Sequence, residues 1–297
     1  MAEPKDFIDM DKYLIINADD YGISQGVCRG VIEGHLYGII TSTSVMINMP
    51  FTEEAIRKVQ NEAPDLGIGL HINLTSGYPV LPAADVQSLV TSEGIFRNLF
   101  HLAESPPISK HLQSEILAQF NRFAEITGGI PDHLDSHQFV TYILPVAFET
   151  MLEIAEKYEI PIRSPAPFLD TRIISDLIDT MAGDMFDDQD IANFIQYLEP
   201  NRQVISLSRR TRWPDHFEYH FYGKGSNKEN LIRILKNLPP VTTELMCHAG
   251  YSKDLDRNEG YGKLRDKELS ILMDPEIKEI VRSERINLVN FSCFRKH

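Results

Sequence analysis

The chain of 297 residues is poor in cysteine: Cys28, Cys247 and Cys293 are its only three, and none stands in a Cys-x-x-Cys pair. That excludes a disulfide framework and argues against a thiolate zinc site. Cys28 and Cys293 read instead as small buried apolar residues. Positive charge is scarce too. Lysine and arginine total 29 against 43 aspartates and glutamates, a formal net charge of −14. The nearest thing to a basic block is Arg209-Arg210 with Arg212, which reads as a surface loop. No nucleic-acid partner is expected, because phosphate binding needs a clustered basic surface. No run approaches the ~18 continuous apolar residues of a membrane span. The start, Met1-Ala-Glu-Pro-Lys-Asp6, lacks the basic-then-apolar pattern of a signal peptide. A cytoplasmic chain with no membrane partner is the expectation. No tandem repeat, linker or glycine-rich phosphate loop stands out.

What is present is ordered. Apolar residues make up 42% of the chain and charged residues 24%, enough for a full core. The apolar run Tyr13 to Asn17 predicts a strand and Ser24 to Tyr37 a helix stopped at Gly38. A β-rich run from Thr43 to Asn48, a helix from Phe51 to Asn61 and a short strand ending at His71 complete a βαβαβ order. That order implies a parallel sheet with helices outside. Residues 76–108 read as a long loop with short helices. Helices are expected over 109–126 and 145–158, with strands over 132–137 and at 160–163. Ser226-Asn-Lys-Glu229 has the capping-box pattern of a helix start. A strand at Thr242 to Cys247, a helix start at Asp274-Pro275 and a last strand from Ile286 to Phe291 follow. The fold class is therefore α/β, either an open doubly wound sheet or a TIM-barrel-like (β/α) barrel. The barrel is preferred because candidate site residues come from at least four strand ends. Residues 1–297 are expected to form one domain, with an elaboration around 165–225.

Those strand ends carry carboxylates and imidazoles. Asp20, His71 and His137 supply two nitrogen donors and one oxygen donor, an open set for one divalent metal ion. Such an ion polarises a carbonyl and acidifies its water. Asp19 is placed to act as a base, and His248 as an acid toward a leaving amine. Each residue also has a plainer reading. An Asp-Asp pair often forms a turn or a helix cap, a lone His71 can hydrogen-bond in a loop, and His133 with His137 can be structural. Arg163 reads as a partner of Asp19, a substrate contact or a salt bridge, and Asp135 as a partner fixing a histidine tautomer or a substrate contact. Trp213, Phe217, Tyr219, Phe221 and Tyr222 suit a sugar-stacking lid, although core packing is the commoner fate of such residues.

Asn17-Ala-Asp-Asp-Tyr-Gly22, Thr41-Ser-Thr-Ser44, Gly69-Leu-His-Ile-Asn-Leu74, His133-Leu-Asp-Ser-His137 and Met246-Cys-His248 together resemble the signatures of the YdjC-like carbohydrate deacetylase family. The motifs run in family order over most of the chain, with residues 165–225 least supported. The resemblance implies a barrel-like fold and metal-dependent removal of N-acetyl groups from amino sugars such as chitooligosaccharides. It also implies Asp20, His71 and His137 as metal ligands, Asp19 as base and His248 as acid. Members are often described with magnesium, whereas nitrogen donors favour zinc, so Zn2+ and Mg2+ both stand. A small N-acetylated sugar is the implied partner, and a homodimer is compatible with the family.

Two departures bear on substrate. Where the family often continues His-Gln-His-x-His, this chain reads His137-Gln-Phe139-Val-Thr141, and His248 is followed by Ala-Gly. The alternatives are a metal-dependent hydrolase of another ester or a phosphodiester, or an inactive carbohydrate-binding homologue.

Overall fold

The computed structural model describes residues 11–182, 211–255 and 261–295. Its centre is a seven-stranded sheet in which every pairing is parallel, in the order β4-β3-β2-β1-β6-β5 with β7 also on β1. The strands are β1 (Lys12–Tyr21), β2 (Ser42–Val45), β3 (Gly67–Ile72), β4 (Leu134–Ser136), β5 (His216–Glu218), β6 (Thr242–Cys247) and β7 (Ile286–Leu288). The α-helices are α1 (Gln25–Tyr37), α2 (Thr52–Glu62), α3 (Leu99–Glu104), α4 (Ser109–Thr127), α5 (Val140–Ile143), α6 (Pro145–Tyr158), α7 (Thr171–Ala182), α8 (Lys228–Lys236), α9 (Gly262–Leu272) and α10 (Pro275–Ser283).

The stretch at 160–163 is what curls this sheet into a barrel. Leu134 N–H donates to Pro161 O, Arg163 N–H to Leu134 O, and Ile162 N–H to Arg212 O, at 2.9–3.0 Å. A single bridging residue thus joins β4 to the segment that leads into β5, and β5 pairs with β6. The expected strand at 160–163 is therefore one isolated bridge. β5, by contrast, is a true member of the sheet inside the stretch expected only to elaborate it. Much of that stretch, including Arg209-Arg210, lies outside the described residues.

Strand alternation sorts the side chains. Leu14, Ile16 and Ala18 of β1 join the apolar core beneath the helices. Asn17 and Asp19 turn inward and bond across the barrel to Ser44, Asp135 and Arg163. The inside of this barrel is therefore charged and polar, where barrels of this class are usually filled by branched apolar residues.

Several expectations shift by a residue or more. β1 runs to Tyr21 instead of ending at Asn17, and β7 stops at Leu288, before a short 3-10 turn at Phe291–Phe294. Asn227, not Ser226, caps α8 by accepting from Asn230 N–H. α9 has no counterpart in the expectations. Cys28 is buried as expected, whereas Cys293 is exposed. Phe217, Tyr219 and Phe221 are buried. No described helix is long and apolar enough to cross a membrane.

Candidate active site

The mouth of the barrel lies at the C-terminal ends of its strands. In a regular strand Asp19 and Asp20 would face opposite sides. The β1–β2 register slips between Ala18 and Tyr21, and Asp20 takes φ 66°, in the left-handed region. Such a bulge re-aims a side chain, and here both carboxylates reach one cavity. Gly22 follows at φ 100°, where a Cβ would meet Thr52 Oγ1 at 2.8 Å. A second unusual backbone stretch follows His137, which lies in a short 3-10 turn just past β4. Gln138 and Phe139 both have positive φ, 51° and 54°. Non-glycine residues hold such angles only where surrounding contacts enforce them.

Asp20 Oδ1 lies 2.9 Å from His137 Nδ1 and 3.3 Å from His71 Nε2. The outer nitrogens of both rings are engaged elsewhere. His71 Nδ1 faces Asp135 Oδ1 at 2.7 Å and Ser44 Oγ at 3.1 Å, and His137 Nε2 faces Ser76 Oγ at 3.2 Å. Three donor atoms therefore converge while their far sides are held, as metal-binding histidines require. The chemistry of this donor set fits a divalent ion. Asp19, His71 and Asp135 form a second convergent group. Arg163 already bridges its two carboxylates, at 2.7 Å and 3.0 Å, so the first set is the better site.

Burial opposes ionisation of Asp20, but the facing His137 and Arg265 outweigh it and hold its carboxyl well below the usual range. Burial likewise opposes charge on His71, yet Asp135 and Asp20 push the ring up to about 10. A bound cation would compete with that proton.

Arg163 is 1% exposed and meets three carboxylates. NH1 and NH2 donate to the two oxygens of Asp19, each at 2.7 Å, and Nε donates to Glu244 Oε1 at 2.7 Å. Asn17 Nδ2 donates to Asp19 Oδ1 at 2.8 Å. Asp19 Oδ1 thus accepts twice and Oδ2 once, leaving a lone pair on Oδ2. Burial raises Glu244 to about 7 despite Arg163. Asp135, expected as a substrate contact or as a histidine's partner, has no exposed surface and bonds His71, Ser44 and Arg163.

His248 follows β6 with Nε2 4.0 Å from Asp20 Oδ2. Burial lowers it to about 4, so the resting imidazole is neutral. Arg265 NH2 donates to the same Asp20 oxygen at 2.6 Å. Ile23, Phe139, Tyr222 and Met246 give the cavity, of about 340 Å3, its apolar wall. Phe139 and Thr141 are the two positions at which the resemblance leads one to expect histidines. The first lines this wall, and the second is buried with its N–H on Ser136 Oγ.

The structure therefore brings together all seven residues singled out from sequence. It adds Asn17, Ser44, Ser76, Tyr261, Arg265 and Glu268, to which sequence reasoning assigned no role. For the last three a signal existed: positions 261, 265 and 268 repeat at helical spacing on one face.

A family model described as YdjC-like protein matches residues 13–283. A carbohydrate deacetylase of Thermoanaerobacter pseudethanolicus is 33% identical over 289 residues, 96% of this chain and 100% of that protein. Carbohydrate deacetylase 2 of Listeria innocua serovar 6a is 40% identical over 284 residues, 94% of this chain and 97% of that one. Among solved structures, a protein of Enterococcus faecalis V583, named for a proposed role in cellobiose-phosphate cleavage, superposes with TM-score 0.77 at 29% identity. That match covers 96% of this chain and 100% of the other.

Proposed function

The chain belongs to the YdjC-like family, and from that premise we propose that it is a metal-dependent carbohydrate deacetylase. Its substrate would be an N-acetylated amino sugar or a metabolite containing one. The observation that carries this reading is the convergence of Asp20 Oδ1, His71 Nε2 and His137 Nδ1 in a cavity that Asp19 and His248 also line. Asp20, His71 and His137 would hold one divalent ion, which supplies a Lewis acid for the acetyl carbonyl and lowers the pKa of water.

The protein's own groups then divide the proton work. Water adds to the acetyl carbon, the amide C–N bond breaks, and acetate and a free amine leave. Asp19 accepts the proton given up by water at Oδ2, the oxygen with a lone pair to spare, while Arg163 and Asn17 fix its plane. His248 delivers a proton to the departing nitrogen. Because burial makes it neutral at rest, it takes that proton from solvent as negative charge gathers beside it, and Asp19 returns the water's proton to solvent at the end of the cycle, so the protons balance. Arg265 and the two histidines divide the oxygens of Asp20 between them, which leaves that side chain one orientation. A phosphodiester fits less well, since Arg163 and Arg265 both already face carboxylates.

Phe139 in the cavity wall supports a substrate placement different from that of family members with a histidine there. The nitrogen donors suit zinc, and magnesium is the other candidate. The test is acetate release from a panel of N-acetylated sugars by metal-stripped protein, with zinc or magnesium restored. Metal-dependent acetate is expected from at least one sugar. Stoichiometric metal without acetate from any of them would sink the N-acetyl reading.

A further inference from the structure

We propose that Glu268 of α9 is a positioning residue that fixes His248 and the tyrosine pair beside it; this rests on the reading of His248 as the proton donor. Glu268 is fully buried and draws donors from three separate segments. It accepts from His248 N–H at 2.5 Å, from Ser226 Oγ at 2.8 Å and from the Tyr261 hydroxyl. Tyr261 in turn accepts from Gly223 N–H at 2.9 Å. One carboxylate thereby ties together the end of β6, the 223–226 turn and the start of α9.

What these segments present to the cavity gives the arrangement its purpose. Tyr261 stacks on Tyr222 with ring centroids 4.4 Å apart and planes 13° apart. The His248 ring meets Tyr222 edge-on at 5.1 Å and Tyr261 at 5.3 Å. His248 Nδ1 has no hydrogen-bond partner among the described residues. No side-chain acceptor therefore sets this imidazole, unlike His71 and His137. Its backbone is held by Glu268 and its ring by two tyrosines, one of which Glu268 also holds. The Ser226 hydroxyl serves this carboxylate, and the neighbouring Asn227 caps α8. Along α9, Arg265 reaches Asp20 from the same face. One helix face thus orients a proposed metal ligand and the proposed acid together.

An apolar residue would pack this position without the cost of desolvating a carboxylate. A polar side chain here is explained by three donors that need an acceptor. Glutamine keeps an acceptor for His248 N–H, whereas alanine keeps none.

The test compares Glu268→Ala, Glu268→Gln and Tyr261→Phe in the zinc-loaded protein. It measures kcat and KM for acetate release, zinc affinity by calorimetry, and the His248 ring signals by NMR. Glu268→Ala is expected to lower kcat about 100-fold, with KM and zinc affinity within about threefold of the parent, because a misplaced proton donor costs rate and not binding. The His248 ring signals should broaden or split, and Glu268→Gln should recover kcat to within about fivefold. Tyr261→Phe keeps the ring stack and loses the hydroxyl, so about tenfold in kcat is expected, and it carries the test if Glu268→Ala does not fold. Unchanged kcat in folded Glu268→Ala, or a parallel loss of zinc affinity, overturns the proposal. So does failure of glutamine to restore rate in a folded protein, or an unaltered His248 signal in both Glu268→Ala and Tyr261→Phe. Should the parent protein release no acetate, the deacetylase reading fails, and the NMR signals alone then decide whether Glu268 positions His248.

Discussion

Replacing Gly69 with alanine tests how the barrel interior is packed beneath the site. Gly69 lies in β3 two residues before His71, and a Cβ there would sit 2.2 Å from His133 Cε1, 2.4 Å from Nδ1 and 2.5 Å from Nε2. Ordinary contact begins near 3.4 Å, so the ring would have to retreat by about 1 Å. It has little room to do so. His133 is fully buried, its Nδ1 lies 2.5 Å from Asp132 Oδ1, and its ring stacks on Phe291 with centroids 3.8 Å apart and planes 12° apart. Overpacking of this severity belongs at the upper end of the usual range, about 3 kcal/mol. With a urea slope of about 3 kcal/mol/M for a chain of this size, the unfolding midpoint should fall by about 1 M. Urea titrations followed by circular dichroism and by the fluorescence of Trp213, the only tryptophan, measure it. The double variant Gly69→Ala/His133→Ala should be no less stable than His133→Ala alone, since the added methyl then occupies vacated space. A midpoint within about 0.2 M of the parent, or strictly additive effects in the double variant, would refute the packing argument.

His71→Ala should abolish metal binding and acetate release together, read by calorimetry and the acetate assay; retained metal would disprove the ligand assignment. Asp19→Asn should lower kcat by at least about 100-fold while sparing metal affinity within about threefold, and equal loss of both would place Asp19 among the ligands. Ser76→Ala should weaken metal binding by about tenfold, because the Ser76 hydroxyl holds the outer nitrogen of His137; an unchanged affinity would remove it from the site. Burial raises Glu268 to about 7 from an ordinary 4.5. The folded form therefore holds an extra proton between those values, and stability from this group is full below about pH 4.5 and lost as pH rises to about 7. Glu268→Gln does not titrate, so its stability relative to the parent should grow across that interval by an amount on the order of 3 kcal/mol in urea titrations; a pH-independent difference would contradict the assignment.

Much of this was legible from sequence, for identifiable reasons. The βαβαβ opening and helices α4 and α6 show in hydrophobic period, because their outer faces feed one apolar core. The candidate carboxylates and imidazoles stand out jointly, because each alone has an ordinary structural reading but several of them end separate apolar runs, and Arg163 stands out as the charged end of the run at 160–163. The barrel was legible from the spread of strand ends, but not the slightness of its closure, because the stretch read as a strand at 160–163 makes only one bridge, at residue 162. β5 was hidden by its length of three residues. α9 went unseen, since its buried face carries Arg265 and Glu268 among its leucines, and a hydrophobicity count reads those positions as solvent-facing. The capping box at Ser226 misled because its hydroxyl had a more demanding partner in Glu268. Polarity in this chain marks the inside of the barrel as much as its surface.

The slipped register at Asp19 and Asp20 sets how this lineage can change. Two neighbouring residues share one destination only because the strand carries a residue out of step. Trimming the residue that is out of step would therefore turn Asp20 to the opposite face, while Asp19, set by ordinary alternation with Asn17, kept its direction. A descendant that abandoned catalysis could betray itself by a change in the length of that segment, even with both aspartates still written in its sequence.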